Sequence, residues 1–468
     1  MAAKFGTSGL RGLVVELTTE VVSAHVAAFI KACPTGSGLY VGRDLRPSSP
    51  EHADVVMRTA AGAGLAVTDC GETPTPALAL AAMKAGAASV MVTGSHIPAD
   101  RNGLKFYTPT GEITKSDETA ILAALAPAPR LPEKIEAVRH DGAGREWVRR
   151  TIGAYGPSSL AGMKIGLWAH SAVSRDLIGD ALRGLGAEVI QLDRSHTFIP
   201  VDTEAVPDWA RDKIAAWVKE HRFDALVSTD GDGDRPLVAD ETGRVVPGDL
   251  LGQITAAAIG ADIVVTPVSS NTGVEQSGRF SRVVRTRIGS PFVIAAMAEA
   301  GGRVIGYEAN GGVLLGFDAA GPAGPLLALA TRDSLLPIVA TLHQARAAGT
   351  LSARVALEPR RFTAADRLEN VPTERVAGFI AEIATEEKLA AFFSGFGEVP
   401  VATDRTDGFR IACASGRIVH FRPSGNAPEL RVYVETEEPG ASDALLREAF
   451  SAVNRWFEPS GGQKPRTG

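Results

Sequence analysis

The hydrophobic pattern runs through one unit three times. Short apolar runs, often β-branched, alternate with longer stretches of helical period, and polar glycine-bearing sequence closes each unit. In the first, runs at 39–42, 66–69 and 88–92 predict strands, and 49–64 and 76–84 predict helices, before T-G-S-H-I-P-A-D. The second has strands at 164–168, 188–192 and 224–228 and helices at 173–185 and 208–221, and ends at T-D-G-D-G-D-R. The third has strands at 263–266, 283–286 and 303–305 and a helix at 291–300, and ends at G-Y-E-A-N-G-G. This alternation predicts buried parallel sheets covered by helices on both faces, which present ligands beyond the carboxyl ends of their strands. All three closing loops occupy that position.

Beyond residue 360 the pattern changes. A helix at 373–385 and a strand pair at 416–421 and 429–435 flank R-P-S-G-N-A-P, which predicts a smaller α+β domain. The segment A-P-A-P-R-L-P at 126–132 reads as a linker, Pro247 and Pro359 lie near later joints, and the polar, glycine-rich 459–468 should fray. The expected domains are 1–142, 143–249, 250–357 and 358–468.

Composition narrows the function. A chain of 468 residues with 48 basic and 54 acidic side chains has no uniform cationic face for nucleic acid. Residues 1–12 lack a charged-then-apolar signal pattern, and the most apolar stretch, 77–92, is broken by Lys84, Gly86 and Ser89. Cys33, Cys70 and Cys413 are odd in number and form no C-x-x-C pair. The expectation is a cytoplasmic protein in a reducing compartment, with no membrane partner and an oligomeric state that the sequence leaves open.

Chemistry concentrates in the loops. In 229–235, Asp230, Asp232 and Asp234 alternate with glycines, so one tight turn can aim three carboxylates at a hard cation. A calcium-binding helix-loop-helix is excluded, because the sixth position of such a loop is Arg235 where glycine is needed, and Pro236 follows. Ser95 follows a buried strand as an exposed nucleophile would, yet Thr93 and Ile97 stand where a hydrolase elbow needs glycine. His96 is a candidate base or hydrogen-bond partner, and Lys105 can neutralise a phosphoryl group or move a proton. In R-P-S-G-N-A-P, Arg422, Ser424, Gly425 and Asn426 combine the groups of a phosphate clamp, and Arg431 adds a second fork. Glu308 and Asn310 suit adjacent sugar hydroxyls.

Taken together, F-G-T-S-G-L-R-G at 5–12, T-G-S-H-I-P, D-G-D-G-D-R, G-Y-E-A-N-G-G and R-P-S-G-N-A-P-E resemble the α-D-phosphohexomutases, in order and across nearly the whole chain. The resemblance implies four domains around a central cleft, three α/β domains with mixed sheets and a C-terminal α+β domain. It implies interconversion of hexose 1-phosphates and 6-phosphates through a phosphoserine and a hexose 1,6-bisphosphate, with Mg²⁺ as cofactor and hexose phosphates as partners. Ser95 would be the phosphoserine and would share Mg²⁺ with Asp230, Asp232 and Asp234. Arg11, His96, Lys105 and Arg235 would surround the transferred group. Thr7, Ser8, Glu308, Asn310, Arg422, Ser424, Gly425, Asn426 and Arg431 would bind substrate.

Some positions depart from the family pattern. Ile97 stands where many members have Asn. The sugar loop, commonly G-E-x-S-G-H, has Asn310 for Ser and Gly312 for His, and an upstream Gly-His of some relatives is Gly289-Ser290 here. Gly-Ser-His at 94–96 and E-A-N-G-G at 308–312 look most like the members that act on mannose phosphates, and the variant sugar loop argues against an amino sugar. Glucose phosphates stay open as substrates. A Mg²⁺-dependent sugar phosphatase and a non-catalytic sugar-phosphate sensor are the rival classes.

Overall fold

The computed structural model describes residues 3–6, 9–424 and 428–457. They fall into two compact units: Met1–Pro267, Ser277–Val284 and Gly289–Glu358 form the first, and Val268–Gln276, Arg285–Ile288 and Pro359–Gly468 the second. No helix among the described residues is long and apolar enough to cross a membrane. Thr7, Ser8, Gly425, Asn426 and the expected fraying segment 459–468 lie outside the described residues.

The first unit holds three sheets with a shared plan. In the first sheet Leu39–Arg43 lies between Val67–Glu72 and Ala88–Val92, all parallel. In the second, Lys164–His170 lies between Glu188–Arg194 and Ala225–Thr229, again parallel. In the third, Ile263–Pro267 runs parallel to Val304–Tyr307. Helices Ser49–Gly62, Thr75–Lys84, Arg175–Gly184, Asp208–His221 and Ser290–Ala300 occupy the expected stretches to within a few residues. Ala88–Val92 and Ala225–Thr229 are buried along their whole length, because helices cover both faces and every side chain must be apolar or small.

The sheets are mixed, as the resemblance implies, and their antiparallel part lies at the site. The strand before each signature loop is followed by an antiparallel return. Arg101–Thr108 pairs back on Ala88–Val92, Pro236–Asp240 on Ala225–Thr229, and Val313–Leu315 on Val304–Tyr307. The three loops are therefore hairpin connections. The sequence hid these returns: Arg101–Thr108 reads R-N-G-L-K-F-Y-T, mixed in polarity, yet all but its first residue are buried. Its buried polar side chains each have partners: Lys105 reaches the aspartates, Asn102 donates to the Ser48 and Ser49 hydroxyls, and Thr108 donates to the Gly111 carbonyl.

The linker expected at 126–132 forms no helix or strand. It lies on the first sheet's domain, where the Pro132 carbonyl accepts from Arg58 Nε at 2.8 Å, and Val138–Arg139 then joins the sheet beside Val67–Glu72. The second unit is an antiparallel sheet in the order Phe362–Glu369, Glu429–Thr436, Ile418–Pro423, Phe409–Cys413, Pro400–Asp404. Helices Thr373–Ile383, Glu386–Ser394 and Ala441–Phe457 contribute Phe379, Phe393 and Leu445 to its core. The strands expected around R-P-S-G-N-A-P pair as a hairpin.

Two glycines test the packing. The Gly248–Ala258 helix lies so close to Val304–Tyr307 that a Cβ on Gly252 would sit 2.3 Å from the Tyr307 ring. Gly153, within the Ala143–Tyr155 helix, has no other atom within 4 Å of that position. Gly252→Val should destabilise by about 1–3 kcal/mol through overpacking, and Gly153→Ala should stabilise by about 0.5–1 kcal/mol through helix propensity. Calorimetric midpoints of the two variants check both signs.

Candidate active site

Ser95 sits where the chain leaves the buried Ala88–Val92 strand, with φ at +54°, a left-handed conformation rare for a residue with a Cβ. Several bonds enforce it. The Ser95 N–H donates to Thr93 Oγ1 at 2.7 Å, and the Thr93 hydroxyl donates to Asp44 Oδ2 at 2.7 Å. Arg46, buried against the Phe198 ring, donates to the carbonyls of Ser95 at 3.0 Å, Ile97 at 2.6 Å, Pro98 at 2.7 Å and Arg101 at 2.9 Å, while Asp44 holds its Nε at 3.1 Å. A Cβ on Gly94 would stand 2.6 Å from the Arg46 guanidinium carbon, so only glycine admits this clamp. Ser95 was expected to be exposed, but it is 0% exposed. Its hydroxyl is turned inward to donate to Asp230 Oδ2 at 2.6 Å.

Asp230, Asp232 and Asp234 are all fully buried, and one oxygen from each lies within 4.8 Å of the others. Buried like charges this close require compensation. Lys105, on the return strand Arg101–Thr108, donates to Asp232 Oδ2 and Asp234 Oδ2, both at 2.6 Å. The Thr75 hydroxyl, at the start of the Thr75–Lys84 helix, donates to Asp232 Oδ2 at 2.5 Å. Arg332 reaches Asp234 Oδ2 from Nε at 3.0 Å. Asp232 Oδ1 and Asp234 Oδ1 have no hydrogen-bond partner although both are buried. Three convergent carboxylates with unsatisfied oxygens are the donor set of a hard divalent cation, so the residues fit one.

The electrostatics divide the three acids. Burial, then the charges of Asp232 and Asp234, push Asp230 well above the carboxylate range. Burial also opposes ionisation of Asp234, but Arg332, Lys105 and Arg235 outweigh it and hold that carboxyl below its ordinary value.

His96 completes the environment of the hydroxyl. Arg235 Nη1 donates to its Nδ1 at 2.9 Å, and that nitrogen lies 3.2 Å from Ser95 Oγ. An imidazole that accepts at Nδ1 is neutral with its proton on Nε2, which faces Asp202 at 3.9 Å. Burial, then Arg235 and Arg11, drive its pKa far down. Arg11, on Gly9–Leu13, lies within the field of Arg235, Arg332, Asp232 and Asp234, and loss of water lowers it to about 10.

Glu308 and Asn310 lie in the hairpin after Val304–Tyr307. Glu308 Oε2 accepts from Arg332 Nη1 at 3.0 Å and from Asn310 Nδ2 at 3.4 Å. Asn310 Oδ1 accepts from the Gly312 N–H at 3.0 Å. Thus Arg11, Ser95, His96, Lys105, the three aspartates, Arg235, Glu308 and Asn310 share one region of the first unit. Arg422, Ser424 and Arg431 lie in the second unit. Arg422 Nε donates to Asp407 Oδ2 at 2.8 Å, and Arg431 stands opposite Arg422 across the sheet.

Sequence reasoning missed Arg46, Thr75 and Arg332. Arg46 carries a local signal, a basic residue in G-R-D-L-R-P at the end of a buried strand. Arg332 carries none, since it arrives from Leu329–Asp333, remote in sequence from the residues it touches.

Comparison with known proteins follows the same order of elements. The models described as phosphoglucomutase/phosphomannomutase alpha/beta/alpha domains I, II and III match residues 2–129, 148–243 and 247–362, and the C-terminal domain of that family matches 368–453. A phosphomannomutase of Sinorhizobium fredii is 46% identical over 97% of this chain and 99% of its own. A phosphomannomutase of Salmonella muenchen is 40% identical over 96% and 95%. The structure of a phosphoglucomutase/phosphomannomutase family protein from Burkholderia thailandensis aligns with a TM-score of 0.76 at 20% identity, covering 97% of this chain and 98% of that one. An Aspergillus fumigatus N-acetylphosphoglucosamine mutase, solved with GlcNAc-6P and magnesium, aligns at 0.57 and 15% identity over 97% and 96%. The two structural likenesses bear on fold alone.

The Arg46 clamp leads to a direct expectation. Arg46→Met removes every bond from that guanidinium to the loop carbonyls, each charge-assisted and worth about 1.5–3 kcal/mol. Backbone amides across 94–101 should exchange at least about tenfold faster in hydrogen–deuterium mass spectrometry, while those of the second unit keep their rates.

Proposed function

This chain belongs to the phosphoglucomutase/phosphomannomutase family, and we propose that it interconverts mannose 1-phosphate and mannose 6-phosphate through a phosphoserine at Ser95. It is a phosphohexomutase, an isomerase by class. One observation carries the assignment of Ser95: its hydroxyl lies 2.6 Å from a carboxylate of a buried aspartate triplet that retains unsatisfied oxygens.

In the proposed cycle the P–O bond to Ser95 breaks as a P–O bond to the free hydroxyl of a hexose monophosphate forms. The hydroxyl loses its proton, and a hexose 1,6-bisphosphate results. The bisphosphate reverses its orientation, and its other phosphate returns to Ser95, whose hydroxyl proton is displaced. Asp230 Oδ2 is the acceptor within reach of that proton, because the one lone pair of the neutral His96 Nδ1, 3.2 Å from Ser95 Oγ, already accepts from Arg235 Nη1. A phosphoserine adds about −1.5 to −2 charge to the aspartates, and Lys105, Arg235 and Arg11 offset it. The left-handed backbone at Ser95, clamped by Arg46, holds the nucleophile in one orientation for both half-reactions.

Asp230, Asp232 and Asp234 are assigned to Mg²⁺, together with a phosphoserine oxygen. When bound there, a divalent ion withdraws charge from the phosphoryl oxygens during in-line transfer. Support comes from the donor set. Glu308 and Asn310 are assigned to sugar hydroxyls. Arg422, Ser424, Gly425 and Asn426, with Arg431 as a second fork, are assigned to the phosphate that is not reacting, and Thr7 and Ser8 to substrate binding. Mannose is preferred because both curated relatives named above are phosphomannomutases. The buried, unpaired thiols of Cys33, Cys70 and Cys413 fit a cytoplasmic setting.

Incubation with hexose 1,6-bisphosphate should add one phosphoryl group to the intact protein and none to Ser95→Ala, which folds but loses turnover entirely. Release of inorganic phosphate from mannose 1-phosphate without any 6-phosphate would sink the mutase reading. In parallel assays of the 1-phosphates of mannose, glucose and glucosamine, kcat/KM should be highest for mannose. Asp232→Asn should weaken Mn²⁺ binding, read by paramagnetic resonance, by about tenfold or more.

A further inference from the structure

Arg332 is one of the largest wholly buried side chains of the protein, 2% exposed, and the reaction cycle above gives it no role. It enters from Leu329–Asp333 and divides its guanidinium between two loops. Nε and Nη2 stand 3.0 and 2.9 Å from Asp234 Oδ2, while Nη1 donates to Glu308 Oε2 at 3.0 Å. The contacts are selective. Only the Nε contact is a hydrogen bond, with Nη2 at ion-pair distance from the same oxygen, and Asp234 Oδ1 is left buried and without a hydrogen bond among the described residues.

Its path is open because position 312 is glycine. A Cβ on Gly312 would lie 2.9 Å from Arg332 Cδ and 3.0 Å from its Cγ, so no larger side chain fits while the arginine stem is there. This is the position at which the sugar loop departs from its common G-E-x-S-G-H form, and the departure has a physical partner in Arg332. A third acid, Glu112, contributes to the field that holds the guanidinium charged, alongside Asp234 and Glu308.

We infer that Arg332 is a positioning residue that ties the sugar-hydroxyl carboxylate Glu308 to the cation-facing carboxylate Asp234, so that hydroxyl recognition and cation binding are energetically coupled. The inference rests on the functional reading above for the role of Glu308. The physical reason is geometric: guanidinium is a rigid planar fork, and movement of Glu308 on engaging a hydroxyl must turn the same plane that orients Asp234. Lysine keeps the charge but, as a single point donor, cannot span both acids in this geometry.

The test uses the full chain with Glu308→Gln, Arg332→Lys and the double variant. Two readouts are taken, Mn²⁺ affinity without sugar and KM for mannose 1-phosphate. Arg332→Lys should weaken Mn²⁺ about fivefold or more and raise KM about tenfold. Glu308→Gln should weaken Mn²⁺ about threefold although it touches no member of the triplet, and the double variant should bind Mn²⁺ no more weakly than Arg332→Lys alone. Penalties on Mn²⁺ binding that multiply independently, or a normal Mn²⁺ affinity in Arg332→Lys, overturn the coupling. If Arg332→Lys does not fold, Glu308→Gln decides alone, and an unchanged Mn²⁺ affinity in it refutes the proposal. Phosphorylation of wild-type Ser95 by bisphosphate separates the two levels: its absence fails the functional reading, whereas its presence with independent penalties fails only the coupling.

Discussion

Three carboxylates packed out of water within one hairpin turn cannot coexist without compensating charge, and the first unit is arranged around that constraint. Lys105, Arg235, Arg332 and Arg11 come from four different segments and all bear on Asp230, Asp232 and Asp234. Compensation is incomplete by design of the contacts. Lys105 and Arg332 both hold Oδ2 of Asp234, while Oδ1 has no hydrogen bond among the described residues and only Arg235 Nε at 3.9 Å. On the proposed reading, a divalent cation would complete the neutralisation and a phosphoserine at Ser95 would draw on it again, so the charge state of the site would change with the reaction on a fixed scaffold.

The scaffold's contribution is the antiparallel return that follows each signature loop. A parallel strand that simply ended would deliver a loop at the sheet's carboxyl edge with its far side free. Here the chain turns back into the same sheet, so both ends of each loop are anchored by ladder hydrogen bonds. The return strand then places its own side chains beside the site, and Lys105 is on one of these. A buried ammonium is tolerable there because two carboxylates receive it.

Stiffness around Ser95 follows the same logic. A left-handed backbone at a non-glycine residue is retained only where its surroundings over-determine it. Thr93, Asp44 and Arg46 do so from below, and Gly94 and Gly231 let the guanidinium and the metal loop approach, since a Cβ on Gly231 would lie 2.7 Å from the Ser95 carbonyl oxygen. The nucleophile is thus oriented by backbone bonds rather than by its own rotamer.

Much of this was legible in the chain itself. Strand and helix positions followed from the spacing of apolar residues, because burial on both faces of a sheet leaves few other patterns. The aspartate triplet and Ser95 were legible because alternating carboxylates and glycines, and a hydroxyl after a buried strand, are local arrangements whose chemistry depends on near neighbours. Tertiary structure alone decided the rest. The return strands were hidden because Arg101–Thr108 mixes buried polar with apolar residues, and Pro236–Asp240 and Val313–Leu315 are short runs directly after their loops. Arg46 and Arg332 were hidden because a guanidinium's role is fixed by which distant carbonyls and carboxylates surround it, and no spacing along the sequence encodes that meeting.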